Sequence, residues 1–171
     1  MVYWLAGRQM SDIVYNAMMF ARDKHKNQVR KYTGEPYITH LAEVAAITAS
    51  VSECEQCIAT AWLHDCMEDQ GVQYDVLLAH FGFTVAKGVW WLSDMEVGNR
   101  AQRKAAACAR LSEAPAHIQT IKCADLISNT SSICRHDPKF AVIYLEEKIK
   151  LLEVLTRADK RLLNLAKEIV K

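Results

Sequence analysis

The run Ser52-Glu-Cys-Glu-Gln-Cys-Ile-Ala-Thr-Ala-Trp-Leu-His-Asp-Cys-Met-Glu-Asp-Gln-Gly71 decides the fold. Ser52 and Glu55 stand at capping-box spacing, Ile58, Ala61 and Trp62 share one face at the helical period, and Gly71 is a stop. The run reads as an amphipathic helix that ends in chemistry, because its apolar face gives way to His64, Asp65, Glu68 and Asp69. At roughly 100° per residue these four side chains fall within an arc of about 140°. A buried charge needs a partner or a metal, so three carboxylates and an imidazole at one helix end ask for a cation. Without one, the cluster is a solvated helix end with a capping histidine.

The same period recurs on both sides of this run. Gly and Pro number only 6 and 3 in 171 residues, and no alternating stretch is long enough for a strand. A first helix starting near Ser11 buries Ile13, Ala17, Phe20 and Ala21, and the polar stretch Lys26 to Pro36 ends it. Thr39 caps a second helix that runs to about Ser50. Further helices are expected at 74–80, 82–93, 99–111, 115–130 and 138–156, with Pro115 and Pro138 in first turns, and a last one over about 158–170. The fold class is therefore all-α: a single-domain bundle of about eight to ten helices spanning 1–171. The Met18-Met19 and Trp90-Trp91 pairs read as core packing.

Composition narrows the partners. A chain that is 51% hydrophobic can bury a core without disulfides. With 21 Lys and Arg against 20 Asp and Glu, the net charge of +1 gives no long-range attraction to nucleic acid or a membrane, so anion binding must be local. No apolar run approaches the roughly 18 residues of a membrane span, and Met1 to Gly7 is too short for a signal-peptide core. The expected setting is the cytoplasm and the expected partner a small molecule; the oligomeric state stays open. The six cysteines, at 54, 57, 66, 108, 123 and 134, lie mostly in apolar helical patterns and read as reduced, buried thiols, Cys54-x-x-Cys57 included.

Two more segments sharpen the site. Tyr37-Ile-Thr-His40 follows a Gly34-Glu-Pro36 turn and sets a histidine at the start of the second helix. Lys122-Cys-Ala-Asp125-Leu-Ile-Ser-Asn129 puts an aspartate and an asparagine at i and i+4 on one face of an apolar helix. Together the segments supply His40, His64, Asp65 and Asp125. Two imidazoles and two carboxylates, with room for water, suit an octahedral ion such as Mn²⁺ better than a closed tetrahedral zinc site.

The ordered series His40, His64-Asp65, Asp125 resembles the signature of the HD superfamily of metal-dependent phosphohydrolases. The flanking Phe20-Ala-Arg-Asp-Lys-His25-Lys-Asn-Gln28, Arg30-Lys31, Gly34-Glu-Pro-Tyr-Ile-Thr-His40, Phe81-Gly82 and Ala124-Asp-Leu-Ile-Ser-Asn129 are similar to the hydrolase domain of bacterial stringent-response enzymes and small stand-alone alarmone hydrolases, over roughly residues 10 to 155. The resemblance implies an HD-type helical bundle, one Mn²⁺ per chain and attack by metal-activated water on the 3′-pyrophosphate of (p)ppGpp, giving GDP or GTP and pyrophosphate. It also implies His40, His64, Asp65 and Asp125 as metal ligands, and Glu68 and Asp69 as the acidic pair that positions the nucleophile. Arg30, Lys31, Lys104, Asn129 and Tyr144 become nucleotide or phosphate contacts. Gln70 departs from the usual threonine and Leu126 from a frequent lysine, and neither removes a ligand. The length implies hydrolysis without alarmone synthesis. Two other readings stand beside this one. The first is an HD phosphatase for another ester, such as the 2′-phosphate of NADPH or a nucleoside monophosphate, against which Arg30-Lys31 and Tyr144 weigh. The second is a non-catalytic nucleotide sensor, for which an intact Glu68 and Asp69 have no use.

Overall fold

The helices fall where the apolar periods place them in a computed structural model of the chain, which describes residues 12–171. In chain order they are α1 Asp12–Lys24, α2 Ile38–Ala49, α3 Glu55–Leu63, α4 Cys66–Gln70, α5 Tyr74–Leu92, α6 Arg100–Glu113, α7 Ala116–His136, α8 Pro138–Val154 and α9 Lys160–Ile169. Among the described residues these nine helices fill the fold, and none is long and apolar enough to cross a membrane. Ser11 and the Met1 to Gly7 stretch lie outside the described residues. Between α1 and α2 an antiparallel bridge pairs Val29 with Pro36. Gly34 closes this turn at φ +72°, a conformation that side chains with a Cβ resist.

Several boundaries differ from expectation for local reasons. The chemical run is not one helix: α3 stops at Leu63 and α4 starts at Cys66, because the His64 ring bonds back to the Ala61 carbonyl (2.8 Å) and Asp65 leaves ideal helical angles at φ −96°, ψ −2°. Gly71 ends α4 in the left-handed conformation at φ +63°. Ser52 does not build a capping box; its hydroxyl accepts the Cys54 N–H (3.2 Å), and Cys54 is the N-cap of α3. Thr39 lies inside α2 and its hydroxyl donates to the Pro36 carbonyl (2.9 Å), while Tyr37 takes the cap position. Gly82, at φ +76° and ψ 174°, interrupts α5 where the sequence divides two helices. Asn99 and Gln102 form a reciprocal capping box that opens α6. The helix α7 runs on to His136, six residues past the expected end near 130, and Asp137 then caps α8 through the Phe140 N–H. All six cysteines are free, but Cys54 is exposed and Cys108 and Cys134 are only partly buried.

Packing explains why the chemistry is buried. The central α3 lies against α1, α2 and α5, and α7 lies against α2, α8 and α9. Ala59 and Leu63 of α3 join one apolar cluster with Ala17, Leu41, Leu77 and Val85, while Ala61 faces a second with Val44, Ile118, Ile121 and Leu152. At Gly88 of α5 a Cβ would stand 2.8 Å from the Thr60 Cγ2 atom, so α5 approaches α3 only because that position is glycine. Three helix segments therefore meet with their polar residues inward: the first turn of α2, the α3–α4 junction and the middle of α7.

Candidate metal centre and adjoining cleft

His40 sits in the first turn of α2, fully buried, with its Nδ1 2.8 Å from the Ser128 hydroxyl on α7. That hydroxyl spends its one proton on Glu43, at 2.5 Å, so it must accept from His40 Nδ1–H. Arg30 closes the same network by donating to Glu43 (2.9 Å) and to the Ser128 carbonyl (3.1 Å). His64 donates its Nδ1–H to the Ala61 carbonyl. Both imidazoles therefore turn a bare Nε2 lone pair inward, and both Nε2 atoms are buried without a hydrogen-bond partner.

Those two nitrogens face two carboxylates. Asp65 Oδ2 is 3.0 Å from His64 Nε2 and 3.6 Å from His40 Nε2; Asp125 Oδ1 is 3.9 Å and 3.4 Å away from the same atoms. Ligand atoms of His40, His64 and Asp65 all lie within 4.8 Å of one another. Lone pairs and anions this close, with no proton between neutral imidazoles and carboxylates, repel unless a cation joins them. The same proximity governs the proton affinities of the four groups. Burial alone would lower the His40 pKa, yet the nearby Asp125 and Asp65 carboxylates raise it to about 9. His64 is raised in the same way, by Asp65 first. Burial works to raise both aspartates, but His64 first and then His40 beside it hold Asp65 below the usual carboxylate range. Lys122 and the same histidines do so for Asp125. A divalent cation meets the same demand without protons, and the donor set fits it.

Around this core each carboxylate has a fixed partner. Tyr37 donates its hydroxyl to Asp65 Oδ2 at 2.7 Å, and its ring stacks on His25 with centroids 5.2 Å apart. On Asp125, Oδ2 takes the Lys122 ammonium (2.8 Å) and Oδ1 takes the Asn129 amide (2.7 Å). Glu68 on α4 is open to solvent and accepts the Asp94 N–H at 2.9 Å. Crowding by protein atoms raises its pKa, and that hydrogen bond only partly opposes the rise. Asp69 accepts the Gln28 amide at 2.8 Å, and Gln28 is itself held by His25 (2.6 Å) and Gln70 (2.5 Å).

A cleft of about 290 Å³ opens from the cluster, with Tyr37 and Asp125 at its inner end. Tyr32, Phe140 and Tyr144 supply aromatic wall, Asn129 and Ser132 polar wall, and Arg30, Lys31 and Lys148 positive charge. Lys31 donates to the Tyr32 hydroxyl (3.2 Å) and lies over the Tyr32 ring at 4.8 Å. The structure thus brings His40, His64, Asp65 and Asp125 to one point and sets Arg30, Lys31, Asn129 and Tyr144 on the cleft wall. Lys104 is placed elsewhere, on α6, paired with Asp94 at 2.9 Å beside a small neighbouring cavity shared with Lys122 and Lys148. Sequence reading passed over Lys122, Ser128, Glu43 and Lys148. Their signal was spacing: Lys122 is three residues before Asp125, Glu43 three after His40, and Lys148 four after Tyr144, each on the face of a site residue.

Fold and site define an all-helical domain in which two histidines and two aspartates meet, with His40, His64 and Asp65 spaced so that they could hold a metal ion. The chain belongs to the HD domain family, whose model matches residues 17–171. A Danio rerio protein named guanosine-3′,5′-bis(diphosphate) 3′-pyrophosphohydrolase MESH1 is 30% identical over 130 residues, covering 74% of this chain and 72% of that protein. An Aquifex aeolicus guanosine-3′,5′-bis(diphosphate) 3′-pyrophosphohydrolase is 40% identical over 79 residues, or 46% of this chain, and the match spans only 11% of that longer protein. The solved structure of a metazoan ortholog of SpoT that hydrolyzes ppGpp superposes with a TM-score of 0.86 over 99% of this chain and 96% of that one, at 22% identity, which establishes the shared fold.

Proposed function

We propose that the chain hydrolyses the 3′-pyrophosphate of guanosine tetra- and pentaphosphate in the cytoplasm, with Mn²⁺ as its resident ion, releasing GDP or GTP and pyrophosphate. The observation that carries this reading is the pair of buried, unpartnered histidine Nε2 atoms facing Asp65 and Asp125 at the inner end of a cationic, aromatic cleft. The Danio rerio relative, matched over most of both chains, supports the choice of substrate. His40, His64, Asp65 and Asp125 hold the ion, which when bound supplies a water of lowered pKa and neutralises phosphate charge. Lys122 keeps Asp125 ionised, and Lys122 and Asn129 together fix its two oxygens. Glu68 takes the proton of the attacking water; its raised pKa brings it nearer the value that suits a general base. Asp69, steadied by Gln28, orients the same water. The water oxygen bonds to the phosphorus next to the ribose, the bond from that phosphorus to the 3′-oxygen breaks, and the 3′-oxygen leaves as a hydroxyl after gaining a proton.

The cleft wall selects the nucleotide. Tyr32 and Phe140 offer flat surface for the base, Lys31 offers a cation at the same end, and Tyr144 lines the wall further in under Lys148. Arg30 shapes this wall while already committed to Glu43 and the Ser128 carbonyl. The test is to incubate purified protein with guanosine tetraphosphate, NADPH and guanosine monophosphate, with Mn²⁺ or with excess chelator, and to follow products by ³¹P NMR. Pyrophosphate and GDP from the tetraphosphate, dependent on Mn²⁺, are expected. Orthophosphate as first product, or turnover of NADPH alone, would overturn the proposal.

A further inference from the structure

Lys148 projects from α8 one turn after Tyr144 and, like Lys31 across the cleft, has no counter-charge among the described residues. Its ammonium lies over the Tyr144 ring, 4.9 Å from the centroid, and among the described residues it makes no hydrogen bond or ion pair. Four neighbouring cations are occupied, Lys122 by Asp125, Lys104 by Asp94, Arg100 by Glu147 and Arg30 by Glu43, while Lys31 bonds only the Tyr32 hydroxyl. A half-buried ammonium without an anion is costly unless a ligand brings the missing charge. Its position says which part of a ligand that is. Lys148 lines both the main cleft and the small cavity it shares with Lys122, Lys104 and Asp94, so it stands at the metal end, whereas Lys31 lies against Tyr32 and Phe140.

We infer that Lys148 is a specificity-determining residue that binds the terminal phosphate of a pyrophosphoryl group whose inner phosphate sits at the metal centre. The inference rests on the proposed function and deepens it. A substituent with one phosphate fills the metal centre and leaves Lys148 empty; a substituent with two fills both. Lys148 would then favour a 3′-pyrophosphate over a 3′- or 2′-monophosphate, and Lys122, already committed to Asp125, cannot replace it.

The experiment compares guanosine 5′-diphosphate 3′-diphosphate with guanosine 5′-diphosphate 3′-monophosphate on Mn²⁺-loaded wild type, Lys148→Met and Lys148→Arg. Methionine keeps the aliphatic packing against Tyr144 and removes the charge. In Lys148→Met the kcat/KM for the diphosphate should fall tenfold or more relative to that for the monophosphate, with unchanged metal content, and Lys148→Arg should recover most of the loss. Binding of both nucleotides is measured in parallel by calorimetry in the Glu68→Gln background, where the same tenfold change in relative affinity is expected. A Lys148→Met variant that loses affinity equally for both nucleotides, or for neither, overturns the inference. Wild type that binds the diphosphate through Lys148 but does not cleave it would instead overturn the proposed function and leave this assignment standing.

Discussion

Replacing Ser128 by alanine tests whether the network behind His40 sets metal affinity. The Ser128 hydroxyl accepts from His40 Nδ1 at 2.8 Å and donates to Glu43 at 2.5 Å, so it fixes both the tautomer and the ring orientation that aim Nε2 at the carboxylates. Losing an outer partner of a ligating histidine costs about 10- to 100-fold in metal affinity. Because an ion that binds only the folded chain stabilises it by RT ln(1 + [L]/Kd), that loss removes about 1.4 to 2.7 kcal/mol of metal-dependent stability at a fixed, saturating concentration. For a domain of this size each kcal/mol is worth about 2–4 °C in Tm, so the rise in Tm on adding Mn²⁺ should shrink by about 3–10 °C. The metal-free protein should also melt earlier, since His40 Nδ1–H is left buried without its acceptor at a cost of about 1–3 kcal/mol. The increment isolates the metal term: melts are recorded after chelation and at graded Mn²⁺. A Ser128→Ala protein with a lower metal-free Tm and a wild-type increment would refute the reasoning, because Ser128 would then support only the fold.

Glu68→Gln should retain the ion, as metal analysis would show, and lose kcat by about 10² or more, the scale of a positioned acid-base group; loss of bound metal would make Glu68 a ligand instead. Lys31→Ala should raise KM for guanosine tetraphosphate about tenfold at nearly constant kcat, since a contact equal in ground and transition states acts on KM. Arg30→Ala should behave differently: with its guanidinium on Glu43 and the Ser128 carbonyl, its removal should lower Tm and metal affinity together. An Arg30→Ala chain with normal stability and only a raised KM would count against that placement. Gly88→Ala should destabilise by about 1–3 kcal/mol in denaturant unfolding, the usual cost of overpacking, because its Cβ meets Thr60 at 2.8 Å; a neutral result would mean that α3 and α5 can part at no cost.

The four proposed ligands were legible because each sits in a short contiguous segment whose polar residues stand out from an apolar period, and because the three segments occur in an order that few folds share. Helix positions were legible for the same reason, since burial of one face imposes the 3.6-residue repeat whatever the partner. What the sequence hid depends on contacts between distant segments or on a side chain turning onto its own backbone. The break between α3 and α4 follows from the His64 ring reaching the Ala61 carbonyl, and a helical period continues across it unchanged in the letters. Arg30 reads as a loop cation meant for a phosphate, yet Glu43, thirteen residues on, captures it once the Gly34 turn folds back.

Lys104 illustrates the remaining gap. By resemblance it belongs on a phosphate; in the fold its ammonium holds Asp94, whose other oxygen takes Arg110 (2.8 Å) and whose backbone N–H holds Glu68 (2.9 Å). Three segments, α4, the 93–99 connection and α6, thus fix the orientation of the proposed base through one aspartate. Lys122 nearby, with Lys104 and Arg110 on the aspartate itself, holds its pKa low against burial, so it stays an anion anchored to α6. If Glu68 is the base, Lys104 bears on the chemistry by positioning it through Asp94, from outside the residues that line the cleft.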